Sequence, residues 1–335
     1  MYRRRRFAVG SVALLALLGA YCAIVAAAPL PALKANLEPG IEASSEFVAD
    51  TALTQAAADA QALPTAVGWL HDEQIWSNDE GTHRIASITK LITVLVGLEA
   101  APVEAGTDGP SYTLTEADAA LVDEVLAQDG TFAPAPVGLT LTTRQILDLT
   151  LVPSANNYAI SYARWVFGSD EAFLAAAHDW LARNGLATVH IQEAAGLSDN
   201  NVASTADIVR LARIALSNPL VAEIVSQSQI EIAGLGEITT TNRLLGDPGV
   251  VGVKTGTTFP EGYSLVAAKH EIFGERDLIA IAVTMDRPDG DARAGDTRAA
   301  LAAMATTGQQ VQLAEQGARI GTAVTWTGAK VPLLV

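Results

Sequence analysis

The order of hydrophobic patterns predicts an α/β (α+β) fold in which one sheet carries a helical insert. Two observations support this. Short β-branched, strand-like runs lie toward both ends of the chain, and helix-periodic segments fill the middle. A length of 335 residues is enough for one large domain and a small one.

The elements follow in order. Arg3 to Arg6 precede an uncharged apolar run of 22 residues, Phe7 to Ala28. That length can cross a bilayer, and the arginine cluster keeps its own side cytoplasmic and the body outside. Residues 1–28 are therefore expected to be a signal peptide or a signal-anchor transmembrane helix. Ala26-Ala27-Ala28 has the small residues of a cleavage site, although Pro29 follows directly, which tilts the reading toward an anchor. The single cysteine, Cys22, lies in this run, so the exported body carries no disulfide. Residues 29–62, rich in Ala, Glu, Ser and Pro, read as a linker, partly helical from Thr51 to Ala62.

Ala66 to Leu70 and Gln74 to Ser77 are expected to form a hairpin, followed by a buried helix from Ser87. Thr115 to Ala127 is an amphipathic helix, and Gly130 to Leu139 a Pro/Gly-rich loop. Thr143 to Leu151, Glu171 to Arg183 and Ser204 to Ser217 are helices, the last opened by Ser204-Thr205-Ala206-Asp207, which has the pattern of a capping box. Ile230 to Ala233, Val250 to Lys254, Ser264 to Lys269 and Leu278 to Met285 are strands. A helix over Asp296 to Thr306 closes the body. The expected domains are thus a catalytic domain over 63–310 and a short β-type tail over 311–335, at most a stub of a second domain.

Composition narrows the function. The net charge is −16, and without Arg3 to Arg6 the remainder has 17 basic against 37 acidic residues, or −20. That balance argues against nucleic acid as a partner and suits solubility. An acidic body should not lie flat on anionic lipid. The five histidines show no metal-ligand spacing, so neither metal nor cofactor is expected. His83, close to Ser87, reads as a loop residue.

Three short motifs carry the chemistry. In Ser87-Ile88-Thr89-Lys90 a hydroxyl and an amine stand three residues apart, on one face of a helix. A serine hydroxyl is a weak nucleophile until a neighbouring base takes its proton, and Lys90 is a candidate base. Lysine is scarce, with only five in the chain. Ser154-Ala155-Asn156 follows Pro153 and enters an apolar-periodic segment. Lys254-Thr255-Gly256 ends the β-branched run from Val250. Alternation along a strand lets Lys254 point into a cleft while Thr255 points away. Gly256 lets a substrate backbone approach the strand edge. The separations are 67 residues from Ser87 to Ser154 and 100 from Ser154 to Lys254. Ser198-Asp199-Asn200 also fits Ser-x-Asn, but it lies in a polar stretch and reads as a turn leading to the Ser204 helix.

Ser-x-x-Lys, Ser-x-Asn and Lys-Thr-Gly, in this order, form the set shared by class A β-lactamases and penicillin-binding proteins. With the flanks Ile85 to Leu98, Leu151 to Ala159, Gly196 to Asp207 and Thr241 to Ala268, the chain resembles the low-molecular-mass penicillin-binding proteins, the serine-type D-alanyl-D-alanine carboxypeptidases. The resemblance spans about Thr65 to Thr306. It implies a β-lactamase/transpeptidase-like fold, an antiparallel sheet flanked by helices. It implies removal of terminal D-alanine from peptidoglycan stem peptides through a serine acyl-enzyme, with β-lactam antibiotics as inhibitors. It assigns attack to Ser87, proton transfer to Lys90 and Ser154, and orientation of Lys90 and the substrate amide to Asn156; catalytic Lys254 is the second cation that depresses the Lys90 pKa and a candidate for the substrate carboxylate. Backbone N–H groups of Ser87 and Thr257 would form the oxyanion hole. Thr255, Gly256, Thr257 and Arg293 would bind substrate, and the Arg293 fork suits a free carboxylate. The implied location is the extracytoplasmic face of the cell membrane, with the amino-terminal segment as the membrane contact.

A D,D-endopeptidase would use the same motifs. A class A β-lactamase would also need a glutamate on a loop before Lys-Thr-Gly; Glu193, in Gln192-Glu193-Ala194-Ala195-Gly196, does not reproduce that loop motif. A non-catalytic wall-binding homologue is a further alternative, which the intact motifs count against.

Overall fold

The computed structural model describes residues 12–23, 34–37, 49–258, 262–273, 276–308, 317–325 and 327–334. The chain divides into two units, Met1–Val48 with Gln310–Val335, and Ala49–Gln309. In the first unit, residues 12–23 are helical and exposed. Lys34–Leu37 pairs antiparallel with Arg319–Val324, which pairs with Lys330–Leu334. A stretch expected as linker is therefore a strand. No described helix is long and apolar enough to cross a membrane. The run expected to do so, Phe7 to Ala28, lies partly outside the described residues.

The second unit is built on an antiparallel sheet of five strands: β1 (Thr65–Trp69), β2 (Ile75–Ser77), β3 (Val250–Thr257), β4 (Tyr263–Phe273) and β5 (Arg276–Arg287). Their order is β3-β4-β5-β1-β2. The first two and the last three described strands of this unit thus meet in one sheet, with β5 paired to β1 from Ala280↔Trp69 to Thr284↔Thr65. Ala280 to Met285 are all buried. Such an unbroken apolar run, rather than an alternating one, marks a strand covered on both faces.

The covering helices are α1 (Thr51–Asp59), α2 (Thr89–Ala100), α3 (Glu116–Leu126), α4 (Thr143–Leu151), α5 (Asn156–Phe167), α6 (Asp170–Arg183), α7 (Thr205–Ser217), α8 (Pro219–Val225) and α9 (Gly290–Met304). One sheet face meets α9, where Thr284 and Thr297 share a buried hydroxyl contact of 2.6 Å. The other meets α7, whose Val209 and Arg213 pack where a Gly68 side chain would stand. Between β2 and β3 lies the insert, centred on α2. Every residue from Thr89 to Leu98 is buried. A helix apolar all round belongs in the middle of a core, and α2 carries Lys90 there.

Several boundaries differ from the sequence expectation. Ser87 does not open α2; it sits in a 3₁₀ turn, Ala86–Ile88, and the α-helix starts at Thr89. The closing helix starts at Gly290, not Asp296, because Asp289 caps it by accepting from the N–H groups of Asp291 and Ala292. Ser204 caps α7, but Asp207 does not reach back to complete a capping box. Its carboxylate takes the amide and hydroxyl of Thr188 instead. Strands Thr82–Arg84 and Val202–Ser204 pair with each other, so His83 is a strand residue rather than a loop residue. Ala49 bridges Gly308, and α1 contacts β1, so the unit begins before the expected boundary at residue 63.

Candidate active site

The nucleophile turn is shaped by its surroundings. The ladder of Thr82–Arg84 with Val202–Ser204 runs on through Ile85, whose N–H donates to Asn201 O at 2.9 Å. Buried Ile85 and Ile88 anchor the turn on either side. Between them Ala86 adopts φ +44°, a left-handed conformation that L residues hold only under tertiary constraint. Two glycines let the walls close on this backbone. A Cβ on Gly196 would lie 1.9 Å from Ala86 O, and one on Gly256 would lie 2.7 Å from Ile85 O. No L side chain fits at either distance.

Behind Ser87 stands Lys90, fully buried. Its Nζ donates to Ser87 Oγ at 2.7 Å, Asn156 Oδ1 at 2.6 Å and Ala195 O at 2.6 Å. Burial disfavours the charged form and pushes its pKa down from 10.5 to about 7, against the opposing pull of the Glu193 carboxylate. A substantial fraction of Lys90 is therefore neutral at neutral pH.

A second amine faces the same cleft. Lys254, on β3, is buried and donates to Ser154 Oγ at 2.8 Å and to Thr255 O at 3.1 Å. Burial first, then the Lys90 and Arg293 cations, hold its pKa well below the usual lysine value. Ser154 reaches it from a left-handed backbone, φ +67°, just ahead of α5. Asn156 is the first residue of α5, which fixes its amide against Lys90. Thr255 shares a hydroxyl contact of 2.6 Å with Thr241.

Arg293 lies in the first turn of α9 and is buried. Its Nη1 donates to Thr257 Oγ1 at 3.2 Å and Gly256 O at 3.3 Å. The Tyr263 ring lies under its guanidinium at 5.6 Å. Asp296, three residues on, pairs with Arg287 at 2.9 Å instead. Arg293 thus has donors left for a ligand.

A cleft of about 390 Å³ joins these groups; Ser87, Ser154, Asn156, Thr255, Thr257 and Arg293 line it. Lys90 and Lys254 sit behind the two serines, and Gly256 closes against Ile85. All nine residues singled out from the sequence are brought together. Ser198 and Asn200 turn to Gln192 instead, away from Lys90, as expected of the competing motif. Asp199 borders the cleft and pairs with Arg84 at 3.0 Å. Three contributors were missed. Thr241 has the signal of an extended polar run before Lys-Thr-Gly. The opposite wall, Gln128 to Thr131, comes from the end of the Thr115 helix and the loop after it. Glu193 was weighed only as a catalytic base, but its Oε1 accepts from the amides of Gly196 and Leu197 and its Oε2 from Ala195.

Comparisons with known proteins bear on the family and the fold. A D-alanyl-D-alanine endopeptidase of Pseudomonas aeruginosa is 29% identical over 190 residues, which cover 54% of this chain and 58% of that protein. The match thus spans little more than half of that relative. The Streptomyces K15 DD-transpeptidase superposes with a TM-score of 0.64 at 20% identity, covering 72% of this chain and 96% of that one. Penicillin binding protein 5 from Haemophilus influenzae gives 0.63 at 20% identity, covering 78% and 72%. These structures share the β-lactamase/transpeptidase-like fold inferred from the motifs. Residues 75–289, more than half of the chain, match the D-alanyl-D-alanine carboxypeptidase family, and the chain belongs to that family.

Proposed function

We propose that this chain is a serine-type D-alanyl-D-alanine carboxypeptidase, which removes the terminal D-alanine of peptidoglycan stem peptides and is inhibited by β-lactams. One observation carries the reading: a buried amine lies 2.7 Å from Ser87 Oγ and is held by two carbonyl oxygens that can only accept. Neutral Lys90 has two hydrogens and one lone pair. Asn156 Oδ1 and Ala195 O take the hydrogens, so the lone pair faces Ser87.

In this reading the Ser87 O–H bond breaks, its proton passes to Lys90 Nζ, and Oγ bonds to the carbonyl carbon of the penultimate D-alanine. Backbone N–H groups of Ser87 and Thr257 receive the oxyanion. The C–N bond then breaks as the leaving nitrogen takes the proton held by Lys90, relayed through the Ser154 hydroxyl that Lys254 positions, and Lys90 returns to its neutral form. Water hydrolyses the ester with Lys90 again as base. Arg293 receives the terminal carboxylate, with Thr255 and Thr257 beside it. The reaction belongs outside the cytoplasm, at the membrane face of the wall, with residues 1–28 as signal or anchor.

The test is to incubate the protein with a stem pentapeptide and weigh the products. Loss of one alanine is expected. An untouched pentapeptide, with protein that still binds a β-lactam, would contradict it. The Pseudomonas relative's name favours a second reading, D,D-endopeptidase. A cross-linked stem dimer in parallel decides: cleavage of the dimer alone selects the endopeptidase. A β-lactamase role for Glu193 is disfavoured, since loop amides already occupy both its oxygens.

A further inference from the structure

Among the groups around the site, Glu193 has a role that neither the three motifs nor the reaction above assigns. Its carboxylate is the centre of a compact loop. Oε2 accepts from Ala195 N–H at 2.6 Å. Oε1 accepts from Gly196 N–H at 2.7 Å, Leu197 N–H at 2.8 Å, Ser198 N–H at 3.3 Å and Asn201 Nδ2 at 2.8 Å. Successive amides wrapped on one anion fix a backbone far more firmly than a loop of small residues would fix itself. Charge-assisted bonds of this kind are roughly twice as strong as neutral ones.

The loop so fixed is the far side of the lysine site. The Ala195 carbonyl accepts from Lys90 Nζ at 2.6 Å, and the Ala194 carbonyl accepts from Thr93 Oγ1, one helical turn along α2, at 2.6 Å. Asn201, which bonds Glu193, also donates to Thr89 Oγ1 at 3.1 Å. Gly196 lies against the backbone of Ala86.

We propose that Glu193 is a positioning residue for Lys90: it aims the Ala195 carbonyl at the lysine amine and supplies a negative charge that acts on it. The proposal rests on the acyl-transfer reading of Ser87 and Lys90. Two consequences follow. Geometrically, the Ala195 carbonyl is one of the two acceptors that leave the lone pair facing Ser87, so loosening the loop misdirects the base. Electrostatically, burial lowers the Lys90 pKa and the Glu193 carboxylate raises it, while Lys254, itself lowered by burial and then by the Lys90 and Arg293 charges, shares the cleft. Without Glu193, burial would act on Lys90 unopposed and hold its pKa lower still. The base would then be weaker, though neutral over a wider range.

Acylation of Ser87 by a chromogenic β-lactam, followed in a single turnover from pH 5 to 9, tests both. In Glu193→Gln the midpoint of the rising limb is expected to fall by about one pH unit. In Glu193→Asp, which keeps the charge but shortens the arm, the midpoint should stay within about 0.3 units while the plateau rate drops about tenfold. An unmoved midpoint in the Gln variant, whatever its rate, overturns the electrostatic role. An Asp variant at full rate overturns the positioning role, and it decides alone should the Gln variant not fold. If the unmodified protein takes no β-lactam at all, the acyl-transfer reading itself has failed.

Discussion

Lys254 Nζ donates to Ser154 Oγ at 2.8 Å, so an amine on the sheet edge and a hydroxyl from the helical insert, 100 residues apart, form one buried pair. The pair lies beside the Lys90–Ser87 pair. Each lysine thus serves one serine on one side of the cleft, and the Lys90 charge, after burial, disfavours the charged form of Lys254.

That pairing makes Ser154 separable from Ser87. Ser154→Ala should slow acylation by both peptide and β-lactam about 100-fold or more, the scale of a lost proton-transfer group. Single-turnover rates check it. A variant within threefold of the parent would remove Ser154 from the proton path.

Lys90 sets the pH dependence. Only its neutral form can take the Ser87 proton, so the acylation rate should rise with pH through a midpoint near 7. A profile flat from pH 5.5 to 8.5 would show that another group is the base.

Arg293 separates substrates. A peptide with a free carboxylate depends on its guanidinium, so Arg293→Ala should cut carboxypeptidase turnover at least about tenfold more than it cuts β-lactam acylation. Equal losses would place Arg293 with the strand edge it braces, through Gly256 O and Thr257 Oγ1, rather than with the substrate.

The reactive residues were legible because each motif encodes its own geometry. Ser87 and Lys90 are three residues apart, Asn156 begins a helix, and Lys254 alternates inward on a strand. The five sheet strands could be read for the same reason, from apolar runs bounded by turns. The rest depends on contacts that no local pattern records. Glu193 bonds backbone amides, which every residue type offers. The 3₁₀ turn at Ser87 comes from Ile85 joining a ladder with a strand more than a hundred residues on. The early start of α9 did have a local signal, Asp289 after Pro288, but the expectation followed apolar spacing, which begins later in that helix.

Gly196 is the tightest point of the site. It holds φ +85°, and a Cβ there would overlap Ala86 O. Gly196→Ala should cost about 3 kcal/mol or more, the range of backbone strain plus forced displacement. For a domain of this size that lowers Tm by about 6 °C or more. A shift under about 2 °C, with β-lactam acylation retained, would show that the loop can withdraw from Ala86.

His83 ties the strand before the nucleophile to the end of β5. Its Nδ1 lies 2.6 Å from Asp286 and its Nε2 2.9 Å from Asp79. The Asp286 hydrogen bond, then that of Asp79, raises the His83 pKa against the desolvation that lowers it. The His83 hydrogen bond is the first cause lowering that of Asp79. A raised histidine contributes stability in full below its unfolded pKa of about 6.5, and loses it as pH rises through the folded value. Asp79 loses its share as pH falls through its own lowered value. The Tm gap between the parent and His83→Gln should therefore be widest near pH 5 to 6 and narrow toward pH 9. A gap that widens with alkali would contradict a charged clasp.

Intact-mass analysis after incubation with benzylpenicillin tests the acyl-enzyme most directly. One penicilloyl adduct is expected, mapped to the peptide holding Ser87 and absent from Ser87→Ala. An unmodified protein, or an adduct that persists in that variant, would contradict Ser87 as the nucleophile.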